Sequence, residues 1–543
     1  MVAANPLFLP PLAHINSIPN QEIGSMIGFT IVINFGAAHR SEVKRTLKSL
    51  CGTIQSPLSL VIVGPDSIQA SVVKPKRLLA RHVRVINPSE AHGHIIFMRA
   101  GDSLLPLTLK TLRDFLFRNS HHDLLYGDST HGSISRWDEP TEVRRPGWSP
   151  ERLRSHCYVG ELLVASIDLV NQAGGVHELA IAHAHDRALR FGELAVSPVR
   201  IAELLYASDH EHLQPTCSLE AVRRHCERNG INADCEADDY LPVARVRRRI
   251  SNEPSISIII PTCGTVESVH GSSKVLAAHT IETMLERSTY ANFEFIVVAD
   301  TSTPNESRKA IAASGGTHVK FIEFSRTFNF AEKINLGVVA SDSELLLLLN
   351  DDTEIVTPDA LHTMVGILAD PGVAMVGPML LYEDGTIQSA GHILNPVPYD
   401  LYRSRPLSFT GAQHLLRVQR EVSGVIAACA LIRRSVFNEV GGLCTDFPSN
   451  YNDVDFGLKV QELGYRVVFT PHAQFFHFES QTRSPRLQTF EVAKIGARWR
   501  DKLDNDPYFN PHLERYVSVW KQNLIGQRSL LDALGPTAPI ASK

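Results

Sequence analysis

No stretch of this 543-residue chain is long and apolar enough to cross a bilayer, so nothing in it reads as a membrane span. Cysteine is sparse and scattered. The eight residues, at 51, 157, 217, 226, 235, 263, 429 and 444, form no CxxC pair and no regular spacing, which argues against a zinc site or a disulfide framework and fits reduced thiols. An excess of one charge is also missing: 53 Lys and Arg stand against 58 Asp and Glu, a formal net charge of -5, so neither disorder nor a nucleic-acid-binding face is indicated. The opening MVAANPLFLPPLAHINSIPNQ has no basic start and no unbroken apolar core, and it is not read as a signal peptide. These absences leave a cytoplasmic protein, associated with a membrane at its periphery at most. The length exceeds what one ordinary core can organise, and two domains of about 200 to 250 residues are expected.

What is present centres on ELLLLLNDDTE, Glu344 to Glu354. Five leucines bounded by charge predict a strand buried on both faces, as in the middle of a parallel sheet. Asn350, Asp351 and Asp352 then fall at its carboxyl end, where open α/β sheets place their ligand crevice. Thr357 and Pro358 read as the N-cap and first position of the following helix. Clustered oxygen ligands on such a turn suit Mg²⁺ or Mn²⁺ with positions left open for phosphate oxygens. The plain alternative is a solvated turn that caps the helix.

The chain repeats itself in order. FTIVIN matches SISIIIPT, RTLKSL matches HTIETML, LSLVIVGPDS matches FEFIVVADTS, and HVRVIN matches HVKFIEFS. Further on, FMRAGDSLLP matches LLNDDTEIVTP, VASIDLVNQAGG matches LIRRSVFNEVGG, and HAHDRALRFGELAVSP matches NDVDFGLKVQELGYRVVFTP. An ordered series of weak matches implies two copies of one α/β domain. The expected layout is an irregular tail over 1–25, a first domain over 26–208, a charged, helical and basic linker over 209–254, a second domain over 255–515 and a tail over 516–543. The acids differ between copies: Arg99 and Gly101 stand where the second copy has Asn350 and Asp352, Ala184 where it has Asp453, and Ala207 where it has His477.

Three further stretches of the second copy carry candidate chemistry. Asp300 closes the strand FEFIVVAD, from which a carboxylate can bind a nucleobase or ribose; alone, it could simply start a turn. Asp453 and Asp455 fall in the first turn of the helix YNDVDFGLKVQELGY, where capping and dipole compensation are the plain alternative. His477, in PHAQFFHFES, sits among aromatics at a strand end, where a packed core histidine is the ordinary case. Their convergence on the strand ends of one α/β domain favours a site.

Residues 255 to about 515 resemble the family 2 glycosyltransferases, particularly the tandem-domain, rhamnosyltransferase-like members of bacterial O-antigen and other surface-polysaccharide synthesis. The resemblance rests on IIIPT, FNFAEKINLG, LLNDDTEIVTPDAL, LLYEDGTIQSAGHIL, YNDVDFGLKV, HFESQTR and DPYFNPHL, and in the first half on RPGWSPERL. It implies two tandem GT-A-like domains, Rossmann-like with mostly parallel sheets, the first one degenerate. It further implies a nucleotide-diphosphate-sugar donor, Mn²⁺ or Mg²⁺ as cofactor, a glycan or lipid-linked glycan acceptor at the inner face of the cytoplasmic membrane, and inversion at the anomeric carbon. By position, Asp453 would be the general base and Asp352 and His477 would hold the metal. Pro261, Thr262, Asp300, Phe328, Asn329, Lys333, Asn350 and Asp351 would bind the nucleotide-sugar, and Asp455 and Cys429 would lie on the acceptor side. Two departures, Cys263-Gly264 and Ile426-Ala427-Ala428-Cys429, bear on sugar and acceptor identity. The rival functions are a sugar nucleotidyltransferase, for which PTCGTVESVHG offers little of a basic phosphate loop, and a non-catalytic glycan or nucleotide-sugar binding protein.

Overall fold

The structure, a computed structural model, describes residues 27–36, 38–53, 58–64, 83–131, 141–208, 217–478 and 488–521. The tail expected at 1–25, residues 479–483 of HFESQTR and residues 522–543 lie outside them. Alternating apolar runs and amphipathic segments produce α/β units, as the sequence predicts. The first half contributes β1 (Phe29–Asn34), β2 (Leu58–Val63), β3 (Val83–Val85), β4 (His94–Arg99), β5 (Ser103–Leu104), β6 (Leu124–His131), β7 (Thr141–Val143), β8 (Leu163–Ser166) and β9 (Pro198–Ser208). A hairpin of β10 (Ala233–Ala237) and β11 (Ala244–Arg248) follows. The second half opens with β12 (Ile256–Thr262), β13 (Val266–Val269), β14 (Ser272–Val275), β15 (Phe293–Asp300), β16 (Val319–Phe324), β17 (Leu345–Leu349) and β18 (Thr353–Ile355). It closes with β19 (Val373–Leu381), β20 (Ile387–Ser389), β21 (His392–Leu394), β22 (Pro398–Asp400), β23 (Arg420–Glu421), β24 (Cys429–Arg433) and β25 (Arg466–His477).

The two large sheets have one topology. The first runs β3-β2-β1-β4-β8-β6-β9-β5, the second β16-β15-β12-β17-β24-β19-β25-β18. The strand directions match as well: β4–β8 and β17–β24 are antiparallel, whereas β6–β9 and β19–β25 are parallel. His94 pairs with Ser166 and Leu345 with Arg433, the last strand residue before a helix in each copy. Counting forward from there sets Arg99 against Asn350 and Gly101 against Asp352. Thr130 pairs with Ala207 as Leu381 pairs with Phe476, so Ser208, not Ala207, stands in the place of His477. The one-residue slip comes from bulges in both long strands, which a count along the sequence cannot see.

The five leucines of β17 are all buried, between parallel β12 and antiparallel β24. Leu346 and Leu348 pack with Ile334 and Val338 on one face of the sheet, while Leu345, Leu347 and Leu349 pack with Met364 and Ile281 on the other. Burial on two faces explains why the run shows no alternation, although its setting is mixed rather than parallel. The next helix spans Ala360–Leu368 with Asp359 at its N-cap, two residues later than Thr357 predicts, because 353–355 first form β18 against β25.

The segment expected as a linker is an integral part of the fold. Residues 219–228 form a helix whose Ala221, Val222 and Cys226 join the first core, followed by the β10–β11 hairpin. Its basic cluster is matched by acids: Arg245 with Asp359, Arg247 and Arg249 with Asp234, and Arg248 with Glu151.

RPGWSPERL and DPYFNPHL meet each other across the seam between the copies. The Gly147 amide donates to Pro507 O at 3.0 Å, and a Cβ on Gly147 would lie 2.1 Å from that oxygen, so this approach requires glycine. Asn510 Nδ2 donates to both oxygens of buried Asp128, at 3.1 and 2.9 Å, and to Arg145 O at 3.0 Å. Glu421, from the second half, accepts from Ser149 Oγ and the Glu151 amide and so caps the helix Pro150–Ser155 of the first. Arg466 binds Glu421 at 2.8 Å and Asp370 at 2.5 Å and ties this cap to the second sheet. The second domain also runs past the expected boundary at 515: Tyr402 N bonds to Ser518 O, and Val519 and Trp520 pack on the core.

Candidate functional site

A cleft opens at the carboxyl ends of β12, β15 and β17, lined by Pro261, Thr262, Cys263, Asp300, Phe328, Phe330, Lys333, Asn350 and Asp351. Seven of these are the residues the sequence selects for a nucleotide-sugar, brought from four separate segments to one place. Lys333 projects from the helix Phe330–Val339 and is 2% exposed; its Nζ donates to Thr262 O at 2.9 Å and to Asp300 Oδ1 at 3.0 Å. Thr262 Oγ1 donates to Asp351 Oδ2 at 2.6 Å and accepts from the Gly264 amide at 2.9 Å. Gly264 holds φ +78, and a Cβ there would meet Thr303 Cγ2 at 2.7 Å and Ser307 Cβ at 2.9 Å, so the Cys263-Gly264 departure is fixed by close packing. Phe328, 48% exposed, presents a ring at the cleft.

The acidic turn is held from behind by Thr280, whose Oγ1 lies 2.8 and 2.7 Å from the carbonyl oxygens of Asp351 and Thr353. Burial, and then the neighbouring Asp352, push the Asp351 carboxyl up to about 7, against the Thr262 hydrogen bond and Lys333. Asp352 Oδ1 stands 3.2 Å from His477 Nε2. Two cis ligands each about 2.1 Å from an octahedral ion are about 3 Å apart, so this carboxylate and imidazole fit a shared Mn²⁺ or Mg²⁺. Among the described residues no three His, Cys, Asp or Glu side chains form a metal-holding group. The pair would therefore supply two ligands and leave the remaining positions to a ligand or water.

Asp453 lies in the first turn of the helix Asn452–Glu462, partly exposed, and accepts from the Ala427 amide at 3.3 Å and the Val454 amide at 2.8 Å. The residue after Ala427 accepts the Asn350 amide at 2.9 Å, which ties the Asp453 loop to the acidic turn. The Ile426–Cys429 departure thus sits between the two candidate centres.

Three expected site residues serve the fold instead. Asn329 does not line the cleft: it caps the helix 330–339 by accepting from Glu332 N and donates to Thr445 O. Asp455 is fully buried and binds Trp499 Nε1 at 2.8 Å and Arg498 at 3.1 Å, which pins the helix Thr489–Asp504. Cys429 is 1% exposed at the start of β24, and burial raises its thiol well above the usual range. Neither Asp455 nor Cys429 offers a surface to an acceptor. Phe330, which the sequence reading passed over, lines the cleft; as an apolar residue opening an apolar helix face it carries no polar signal.

In the first copy Thr46 holds the corresponding turn, accepting from Gly101 N and donating to Asp102 O. Arg99 is half-exposed, 4.0 Å from Glu161. Asp102, one residue beyond the position of Asp352, is buried beside Ser208, and burial raises its carboxyl to about 8.

The chain is 30% identical over 438 residues to the O-antigen biosynthesis protein RfbC of Myxococcus xanthus, covering 77% of this chain and 33% of that protein. It is 31% identical over 400 residues to the uncharacterized protein y4gI of Sinorhizobium fredii, covering 68% and 43%. The chain thus spans less than half the length of these curated relatives. Among solved structures, the mannosyltransferase PcManGT from Pyrobaculum calidifontis in complex with GDP-Man and Mn²⁺ aligns at 16% identity and TM-score 0.32, over 48% of this chain and 67% of that one. GalNAc-T7 with UDP, GalNAc and Mn²⁺ aligns at 15% and 0.36, over 46% and 50%. Residues 257–441, which hold the cleft, the acidic turn and β24, match the model for glycosyl transferase family 2. The match to that family thus lies within the second half of the chain.

Proposed function

We propose that the second half of the chain is an inverting, metal-dependent glycosyltransferase domain that moves a sugar from a nucleotide-diphosphate-sugar to a hydroxyl of a growing cell-surface glycan. The observation that carries this reading is the convergence of seven residues, from Pro261 to Asp351, on one cleft, with the Asp352–His477 pair beside it. The name of the Myxococcus relative points to an O-antigen-type acceptor. Phe328 offers a ring face to the base, Asp300 accepts from base or ribose, and Lys333 holds Asp300 in place. Asp352 and His477 would hold Mn²⁺ or Mg²⁺, which when bound offsets the charge growing on the departing diphosphate. Asp453, oriented by two backbone amides, takes the proton of the acceptor hydroxyl as its oxygen bonds to the anomeric carbon. The bond to the diphosphate breaks on the opposite face and leaves its electron pair on the diphosphate, so the configuration inverts. The first copy, with Gly101 and Ser208 in the places of Asp352 and His477, acts as a scaffold without metal-dependent transfer.

The test is release of nucleoside diphosphate by the full chain from a panel of UDP-, dTDP- and GDP-sugars, with Mn²⁺ or with EDTA. Release from one donor, abolished by EDTA and Asp352→Ala and reduced about 10²- to 10⁴-fold by Asp453→Asn, is expected. Absence of both release and metal-dependent donor binding by calorimetry would leave a non-catalytic binding protein as the better reading.

A further inference from the structure

Gln388 lies on β20 with 1% of its surface exposed. Leu380 pairs with Ser389 and Leu381 with Ile387, so Gln388 is the extra residue of a bulge, a device that turns a side chain out of its strand register. Here it turns the amide onto His477, 89 residues along the chain. Gln388 Nε2 donates to His477 O at 3.2 Å, and Gln388 Oε1 lies 2.8 Å from His477 Nδ1. A carbonyl oxygen only accepts, so the first contact decides which end of the amide is nitrogen. The second contact then joins the amide oxygen to an imidazole N–H, and the hydrogen of the neutral ring is on Nδ1. The Nε2 lone pair is left facing Asp352 Oδ1 at 3.2 Å, with Asn350 Nδ2 at the same distance from Nε2.

We infer that Gln388 is a positioning residue for the metal: its side-chain amide clasps His477 at two points, fixes the imidazole tautomer and aims Nε2 at the ion shared with Asp352. This rests on the metal-dependent reading above. A metal-bound histidine is ordinarily held in this way through its other nitrogen, and loss of the outer partner weakens metal binding about 10- to 100-fold.

The test uses the full chain with Mn²⁺ as probe. Free Mn²⁺ is followed by electron paramagnetic resonance in the presence of UDP, GDP or dTDP, and metal-free nucleotide binding is followed by calorimetry. Gln388→Met should weaken Mn²⁺ binding about 10- to 100-fold and leave metal-free nucleotide binding within about twofold of the parent. Gln388→Glu keeps an acceptor for Nδ1–H, and its Mn²⁺ affinity should remain within about threefold of the parent; it carries the test if the methionine variant fails to fold. Mn²⁺ affinity unchanged in Gln388→Met, or lost as fully in Gln388→Glu as in Gln388→Met, overturns the inference. If the parent chain binds no Mn²⁺ with any of the three nucleotides, the metal-dependent reading falls, and this inference with it.

Discussion

Replacing Glu421 with alanine tests whether the two copies are one folding body. The carboxylate is buried and accepts from Ser149 Oγ and from the Glu151 amide at 3.2 Å, while the Glu421 amide donates back to Ser149 Oγ at 3.2 Å. Arg466 Nη1 lies 2.8 Å away. Alanine removes every side-chain contact, uncaps the helix 150–155 in the first copy and leaves Arg466 with Asp370 in the second. Breaking a buried ion pair from one side costs about 3–5 kcal/mol, and the retained Asp370 puts this case at the low end. The stranded helix-start donors add about 1 kcal/mol. The expected loss is therefore about 4 kcal/mol. Urea unfolding is read from Trp148 in the first copy and Trp499 in the second, each in a single-tryptophan variant. The two transitions should coincide in the parent and move together in Glu421→Ala. A loss below about 1 kcal/mol, or movement of the Trp148 transition alone, would refute the reasoning.

Other outcomes follow from buried charge. Asp102, raised to about 8 chiefly by burial, takes up a proton on folding, so it costs little below about pH 4 and progressively more as pH rises toward 8. Asp102→Asn should therefore raise urea stability at pH 7 by about 3–4 kcal/mol, and the gain should vanish near pH 4. Glu354 shows the opposite sign. Burial would raise its carboxyl, but hydrogen bonds from His279 and Arg287 and the charge of His270 bring it down to about 2. Its contribution, about 3 kcal/mol, is complete above about pH 4.5 and lost as pH falls toward 2, and Glu354→Gln should flatten acid unfolding in that window. Lys333→Met strips Asp300 of its partner and should weaken nucleoside diphosphate binding at least tenfold by calorimetry, while Lys333→Arg should not restore it, because a guanidinium does not fit a site shaped around one ammonium.

The fold was largely legible because buried strands and strand-end acids leave local marks. The apolar run of β17, the acids after it and the repeated order of elements are all short-range features, and they carried the architecture and most of the cleft. What escaped depends on distant partners. Asp453 and Asp455 sit two apart on one helix turn, yet one accepts backbone amides beside the acidic turn and the other is sealed under Trp499. Nothing in NDVDF separates them. Cys429 begins a strand whose burial is set by its neighbours, and Gln388 depends on a bulge that sequence periodicity does not record. The basic run before Pro254 suggests a loose linker until the acids that neutralise it, Asp234, Glu151 and Asp359, are brought beside it.

The seam also sets a timetable for the chain's birth. Asp128 and the carbonyl of Arg145 receive Asn510, 382 and 365 residues later. At about 5–20 residues per second, a ribosome that has just made Arg145 needs about 20–70 seconds to deliver that asparagine. Through that interval the first copy holds a buried carboxylate short of a donor and, until residue 421 is made, a short helix without its Glu421 cap. Its order of folding is thus written at the far end of the message, and a nascent chain stalled before residue 421 should remain open to protease around residues 141–155.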